Sequence, residues 1–180
     1  MALIEIKGEN VLLRTPTPAD LPYIRRLWAD PETMREVGGP VVLDEERARR
    51  WFERMVDPGS DRDRYFLVCD KHGTPVGEVG FHRYDPAERT AEFNVKVEGR
   101  RRFGGHGLEA ARLLLDHYFN VFGGEVMLDP VAPANVPGQR ALARFGFARV
   151  GATEEAVVFR IDKQRFNELY AKEPGPCERP

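Results

Sequence analysis

The stretch Arg100-Arg101-Arg102-Phe103-Gly104-Gly105-His106-Gly107 sets three arginines and three glycines directly before the strongest helical pattern in the chain. Glycines at these positions remove side chains where a strand turns into a helix. Main-chain N–H groups there can approach an anion closely, and the helix N-terminus adds partial positive charge. The arginines bring full charges and bidentate donors for phosphate oxygens. A pyrophosphate is the ligand that suits this combination. No Gly-Lys-Ser/Thr follows the glycines, so the nucleoside-triphosphate loop is absent. Gly105-His106-Gly107-Leu108-Glu109-Ala110 also fits a dinucleotide-binding variant, with Asp129 at the end of the next strand where an acid would meet a ribose hydroxyl. Against that alternative stand the arginine run between strand and glycines, the meander of strands before it, and the short chain after Asp129.

Other reactive side chains are sparse. His72, His82, His106 and His117 show no metal-ligand spacing, and Cys69 and Cys177 are the only cysteines, which excludes a disulfide framework or a cysteine-based zinc site. No metal is expected. His106 lies inside the glycine loop. No Cys-His or Ser-His-Asp pattern points to a covalent intermediate. Between Thr90 and Val97 the residues alternate: Ala91, Phe93, Val95 and Val97 share one face of a strand, and Glu92, Asn94 and Lys96 share the other.

The elements that must position these groups follow from periodicity. Val11–Leu13 is a short strand. Thr17-Pro18 starts a helix carrying Leu21, Ile24, Leu27 and Trp28, which should stop before Asp30-Pro31. Asp44 caps a second helix with Ala48, Trp51, Phe52 and Met55 on one face. Tyr65–Cys69, Val76–Tyr84 and Thr90–Val97 form an antiparallel meander. After the glycine loop a long helix places Leu108, Ala111, Leu115, Phe119 and Phe122 on its buried side and ends at Gly123-Gly124. A strand from Glu125 is broken by Asp129-Pro130. Asn135 to Arg144 forms a short helix closed by Gly146, and two more strands, Ala148–Ala152 and Ala156–Ile161, precede a small helix around Phe166–Leu169. The class is mixed α+β.

At 180 residues, with 42% hydrophobic and 31% charged residues, the chain has the composition of one globular domain, expected over 1–172, with a disordered tail at 173–180. A net charge of -2 gives no global field toward nucleic acid or acidic lipid. No basic leader with an apolar core opens the sequence, and no apolar run approaches ~18 residues. The expectation is a cytoplasmic protein that engages neither nucleic acid nor membrane. An exposed sheet edge is compatible with a homodimer.

The form Arg-x-x-Gly-x-Gly from Arg102 to Gly107, followed in register by Leu108–Leu115, Asn135 and Phe145-Gly146-Phe147, resembles the GNAT superfamily of acyl-CoA-dependent N-acetyltransferases. Val11-Leu12-Leu13-Arg14 with Asp20-Leu21 is similar to the branch holding ribosomal-protein N-terminal, polyamine and aminoglycoside acetyltransferases. The resemblance covers Glu9 to Ile161. It implies a mostly antiparallel sheet splayed between its fourth and fifth strands and flanked by helices, with acetyl-CoA as cosubstrate. It also implies direct acetyl transfer to a primary amine. By the same resemblance, backbone groups of Val95 and Val97 pair with pantetheine, and the amides of Arg102, Phe103, Gly104, Gly105, His106 and Gly107 surround the pyrophosphate. Asn135 then reaches pantetheine and Arg144 meets coenzyme A phosphate. Glu92, on the polar face of the strand that the resemblance sets beside the substrate, is the candidate base, the alternative being that Glu92 and Lys96 form a solvated face. The pattern breaks at Leu142, where many relatives carry a tyrosine that protonates the departing thiolate. That departure leaves open a substitute donor, or an acyl-CoA-binding module with little catalysis.

Overall fold

The computed structural model describes residues 3–101 and 104–170. The expectations for Arg102, Phe103 and the tail 173–180 fall outside the described residues. Eight strands form one sheet: β1 (Glu5–Lys7), β2 (Val11–Arg14), β3 (Arg64–Asp70), β4 (Pro75–Asp85), β5 (Thr90–Val97), β6 (Val126–Val131), β7 (Ala148–Ala152) and β8 (Val157–Asp162), in the order β1-β2-β3-β4-β5-β6-β8-β7. Strands β1 to β5 pair antiparallel in sequence order, β5 and β6 pair parallel, and β6–β8 and β8–β7 are again antiparallel. A meander followed by one parallel crossover is not a doubly wound βαβ array, which removes the dinucleotide-fold alternative.

The helices divide between the two faces. α1 (Leu21–Ala29, after a 3₁₀ turn at Pro18–Asp20) and α3 (Glu45–Met55) cover one face, where Ile24, Trp51, Phe52, Tyr65, Leu67 and Cys69 pack together. α4 (His106–Asp116), its π-helical continuation His117–Phe122, α5 (Val136–Phe145) and α6 (Lys163–Tyr170) cover the other. There Phe66, Phe81, Leu114, Leu115, Phe119 and Met127 are almost fully buried, each contributing about 1.5–3 kcal/mol by leaving water. The alternation along β3 separates the two cores, with Phe66 and Val68 facing one and Tyr65, Leu67 and Cys69 the other.

α1 stops before Asp30-Pro31, as its spacing predicts. Asp30 then accepts from Thr33 N–H at 2.9 Å and, with Pro31 at the first position, starts the short α2 (Pro31–Met34), which the sequence pattern did not reveal. β1 was not anticipated. Leu108 is 62% exposed: it lies in the first turn of α4, about a quarter-turn from the centre of the buried face formed by Ala110, Ala111, Leu114 and Leu115. β6 continues through Pro130 to Val131. Proline is tolerated there because β5 has already left that side, so β6 is locally an edge strand. Among the described residues no helix is long and apolar enough to cross a membrane.

Candidate active site

The parallel pairing of β5 with β6 covers only Thr90↔Val126, Ala91↔Met127 and Glu92↔Leu128. Beyond those pairs the strands part, leaving Phe93–Val97 and Asp129–Val131 on the two lips of an opening. Glu98 N–H donates to Val76 O at 2.9 Å, toward β4. Successive peptide groups of a strand point to alternate sides, so the peptide groups of Val95 and Val97 face away from β4 and into the opening.

The glycine loop enters at the same end. After a 3₁₀ turn at Gly99–Arg101 the chain reaches Gly104, and Gly105 caps α4 with φ +77°, a left-handed backbone that suits glycine. A Cβ on Gly107 would lie 3.3 Å from Val97 Cγ2, so the first turn of α4 sits against the end of β5. The N–H groups of His106, Gly107 and Leu108 precede the first helical bond, Glu109 N–H to Gly105 O at 3.1 Å, and form a donor cluster at the positive end of the dipole. Val95, Val97, Gly104, Gly105, His106 and Gly107 are thus brought together at one mouth.

Glu109, also in the first turn, is held away from that mouth. It accepts from Glu9 N–H at 2.6 Å, Asn10 N–H at 2.9 Å and Asn10 Nδ2 at 3.2 Å, clamping α4 to the turn between β1 and β2. Burial works against its ionisation, but the bonds from Asn10 and Glu9 prevail and hold its pKa below the usual value. The arginines differ from the simple picture of free phosphate donors. Arg100 Nε lies 3.0 Å from Glu98 Oε2, and Arg101 Nη1 lies 3.3 Å from Asp70 Oδ2, so both are paired with carboxylates of the fold.

α5 stands on the β6 side of the opening. Asn135 caps it by accepting from Gly138 N–H at 2.9 Å, and its Nδ2 donates to Glu36 O at 3.1 Å. The side chain folds so closely over Gly138 that a Cβ there would lie 2.6 Å from Asn135 Nδ2. Arg144 is exposed in the last turn, and Leu142 is buried in the core. Among the described residues the Asn135 side chain bonds only to Gly138 and Glu36, not to the α4 loop.

On the α1/α3 face a cleft of about 300 Å³ lies over β4 and β5, lined by Trp28, Trp51, Tyr65, Glu78, Asn94 and Lys96, with Arg54 and Arg64 also at its walls. Glu78, fully buried, accepts from Lys96 Nζ at 2.6 Å, Trp28 Nε1 at 2.7 Å and the Tyr65 hydroxyl. Burial first, and the neighbouring Glu78 second, raise the Tyr65 pKa well above its ordinary value, keeping the hydroxyl a donor. Trp51 packs edge-on against both Trp28 and Tyr65, with centroids 5.2 and 4.8 Å apart. Glu78 was not singled out from the sequence. The available signal was one acid among the apolar and glycine residues of Val76–Phe81.

Glu92 shares this face, at the closed end of the opening. Arg83 Nη1 reaches its carboxylate at 3.0 Å and His82 Nε2 at 3.3 Å. Burial lowers the His82 pKa despite Glu92, so at neutral pH the imidazole is uncharged and Arg83 is the cationic partner. Arg83 has φ +57° at the irregularity between His82 and Asp85, a left-handed strain that aims the guanidinium at Glu92. Asp129 stands on the other lip. Burial first, then the charge of Glu92, push its pKa up to about 7.

A meander whose central parallel pair opens beside a glycine-capped helix defines an N-acetyltransferase fold with an acyl-CoA cleft. Residues 10–148 match the family model of the acetyltransferase (GNAT) domain, and the chain belongs to that family. It is an acetyl-CoA-dependent acetyltransferase acting on an amine. Among solved structures, the fold is shared with an acetyltransferase of the GNAT family from Bacillus anthracis, at 22% identity and a TM-score of 0.74, covering 89% of this chain and 99% of that one. It is also shared with the spermidine N-acetyltransferase from Vibrio cholerae in complex with CoA and spermine, at 18% identity and a TM-score of 0.76, covering 87% and 97%. No curated protein matches the sequence.

Proposed function

We propose that the chain transfers acetyl from acetyl-CoA, by direct attack, to a primary amine whose surroundings are neutral or anionic, as at a peptide N-terminus. Of the acceptor classes the sequence leaves open, polyamines and aminoglycosides are polycations. In the α1/α3-face cleft Lys96 and Glu78 neutralise each other and the Arg64 guanidinium stacks on Phe122 at the opposite face, so among the described lining residues Arg54 is the charged side chain left without either kind of partner. A cationic wall disfavours a polycation and favours an amine accompanied by carboxylate or carbonyl oxygens. The unpaired Arg54 on the cleft wall is the observation that carries the reading.

In this reading the donor enters the opening from the α4 side. Main-chain N–H groups from Phe103 to Gly107 receive the pyrophosphate, the peptide groups of Val95 and Val97 pair with pantetheine, Asn135 borders it and Arg144 meets a phosphate of coenzyme A. The amine enters from the α1/α3 face past Trp28 and Asn94. Glu92, on that same face, takes its proton, so that a neutral nitrogen attacks the thioester carbonyl. A β5 N–H aimed into the opening stabilises the oxyanion that develops. Positioning and oxyanion stabilisation suffice for such a step, since no covalent enzyme intermediate forms.

A thiol-release assay with acetyl-CoA tests the acceptor class, comparing a peptide with a free N-terminus followed by acidic residues, spermidine and an aminoglycoside. The peptide is expected to show the highest kcat/KM, with spermidine the weakest. Spermidine as the best acceptor would overturn the assignment.

A further inference from the structure

We propose that Asp129 is the general acid of the transfer, delivering its carboxyl proton to the thiolate sulfur of departing coenzyme A. The proposal rests on the reading that acetyl-CoA occupies the β5–β6 opening. It fills the gap left at Leu142, which is apolar and buried in the core and offers no proton.

The placement comes from strand register. The last β5–β6 pair is Glu92↔Leu128, so Asp129 is the first residue of β6 on the lip of the opening. Opposite it on β8 is Phe159, and its neighbours two residues away on β6 are Met127 and Val131. All three are buried in the core beneath α4 and α5, the same core that holds Leu142. Asp129 therefore projects on the face where α4 and α5 flank the donor. Glu92 pairs with His82 on the opposite, α1/α3 face. The two carboxyls border one opening from its two sides.

The surroundings of Asp129 favour its protonated form. Among the described residues the Asp129 carboxyl has no hydrogen-bond or ion-pair partner, and Glu92 is the one charged group that acts on it. Its neighbours are Met127, Val131 and Phe159, so nothing there stabilises an anion, and about half the carboxyl is protonated near neutral pH. Seating a pantetheine chain displaces more water and favours the protonated form further. Glu92, facing Arg83, is the acceptor of the other proton. Two carboxyls on opposite sides of one opening can take the acid and base roles of one reaction.

The step balances without any further reagent. The amine nitrogen, having given one proton to Glu92, attacks the thioester carbon and forms the C–N bond. The tetrahedral intermediate collapses, the C–S bond breaks, and its electron pair goes to sulfur. The Asp129 proton moves to that sulfur to give the free thiol, and the amide nitrogen loses its remaining extra proton to solvent. Solvent then reprotonates Asp129 and takes the proton from Glu92.

The test measures wild-type, Asp129→Asn and Asp129→Glu proteins by calorimetric titration with acetyl-CoA and by thiol release with a peptide carrying a free N-terminus. The Asn variant is expected to bind acetyl-CoA as the wild type does while kcat falls by about 10²–10³. It should also lose the alkaline decline of kcat that the wild type shows as Asp129 ionises. The Glu variant should retain more kcat than the Asn variant and keep the decline. An Asn variant with wild-type kcat, or one whose kcat and acetyl-CoA affinity fall together, overturns the proposal. Should the Asn variant fail to fold, a Glu variant lacking the alkaline decline overturns it equally. Failure of wild-type protein to bind acetyl-CoA would instead refute the reading of the opening.

Discussion

Lys96 Nζ lies 2.6 Å from Glu78 Oε1, and the Glu78 side chain is fully buried between β3 and β5. The pair closes the floor of the α1/α3-face cleft, with Trp28 and Tyr65 completing the carboxylate's hydrogen bonds. Removing one partner strands a buried charge, whereas removing both does not. Lys96→Met is therefore expected to cost about 3–5 kcal/mol, a fall in Tm on the order of 10 °C. Adding Glu78→Gln should recover much of that loss in a thermal melt. An unchanged Tm in Lys96→Met would show that the pair contributes nothing.

Gly105 combines a positive φ with a place at the head of α4. Gly105→Ala and Gly105→Glu carry the same backbone strain, about 1–2 kcal/mol. Only the glutamate sets a carboxylate at the proposed pyrophosphate site. Both variants should melt at similar temperatures, and Gly105→Glu alone should lose affinity for acetyl-CoA, roughly tenfold or more. Calorimetry on the two proteins checks this, and equal affinities would place the diphosphate elsewhere.

Asp129 makes stability depend on pH in a defined direction. Its pKa is 3.8 ordinarily and about 7 in the fold, so between those values the native chain holds a proton that the unfolded chain has lost. Stability from this group falls as pH rises through that window. Asp129→Asn should melt like the wild type near pH 4 and be more stable by about 1–3 kcal/mol at pH 8. A gain in stability with a loss of turnover is the signature of a strained functional group. Parallel curves at both pH values would mean the carboxyl is not desolvated.

The ends of α5 and the faces of β5 were legible because local chemistry decides them. An Asn–x–x–Gly start and a glycine at position 146 with φ +113° need no distant partner. What the sequence hid depends on neighbours far along the chain. Glu109 reads as an ordinary first-turn acid until the Glu9–Asn10 turn arrives a hundred residues away in sequence. Arg100 and Arg101 read as free donors until Glu98 and Asp70 claim them. Asp129-Pro130 looks like a strand breaker unless β5 is known to have departed, and the same departure gives Asp129 its place at the opening.

Glu92 is the remaining test of the acceptor side. Glu92→Gln keeps a hydrogen-bonding side chain toward Arg83 but cannot take a proton. Its kcat is expected to fall by about 10²–10⁴ while acetyl-CoA affinity stays unchanged. A variant with normal turnover would assign the proton to solvent. Arg54→Glu, on the cleft wall, should shift kcat/KM several-fold toward spermidine and away from an acidic peptide.

Titration calorimetry of the intact chain with acetyl-CoA addresses the account most directly. One molecule should bind per chain, and binding should weaken in Gly105→Glu but persist in Asp129→Asn and Glu92→Gln. No heat of binding at about 1 mM acetyl-CoA, a ceiling that corresponds to only about 4 kcal/mol of affinity, would contradict it.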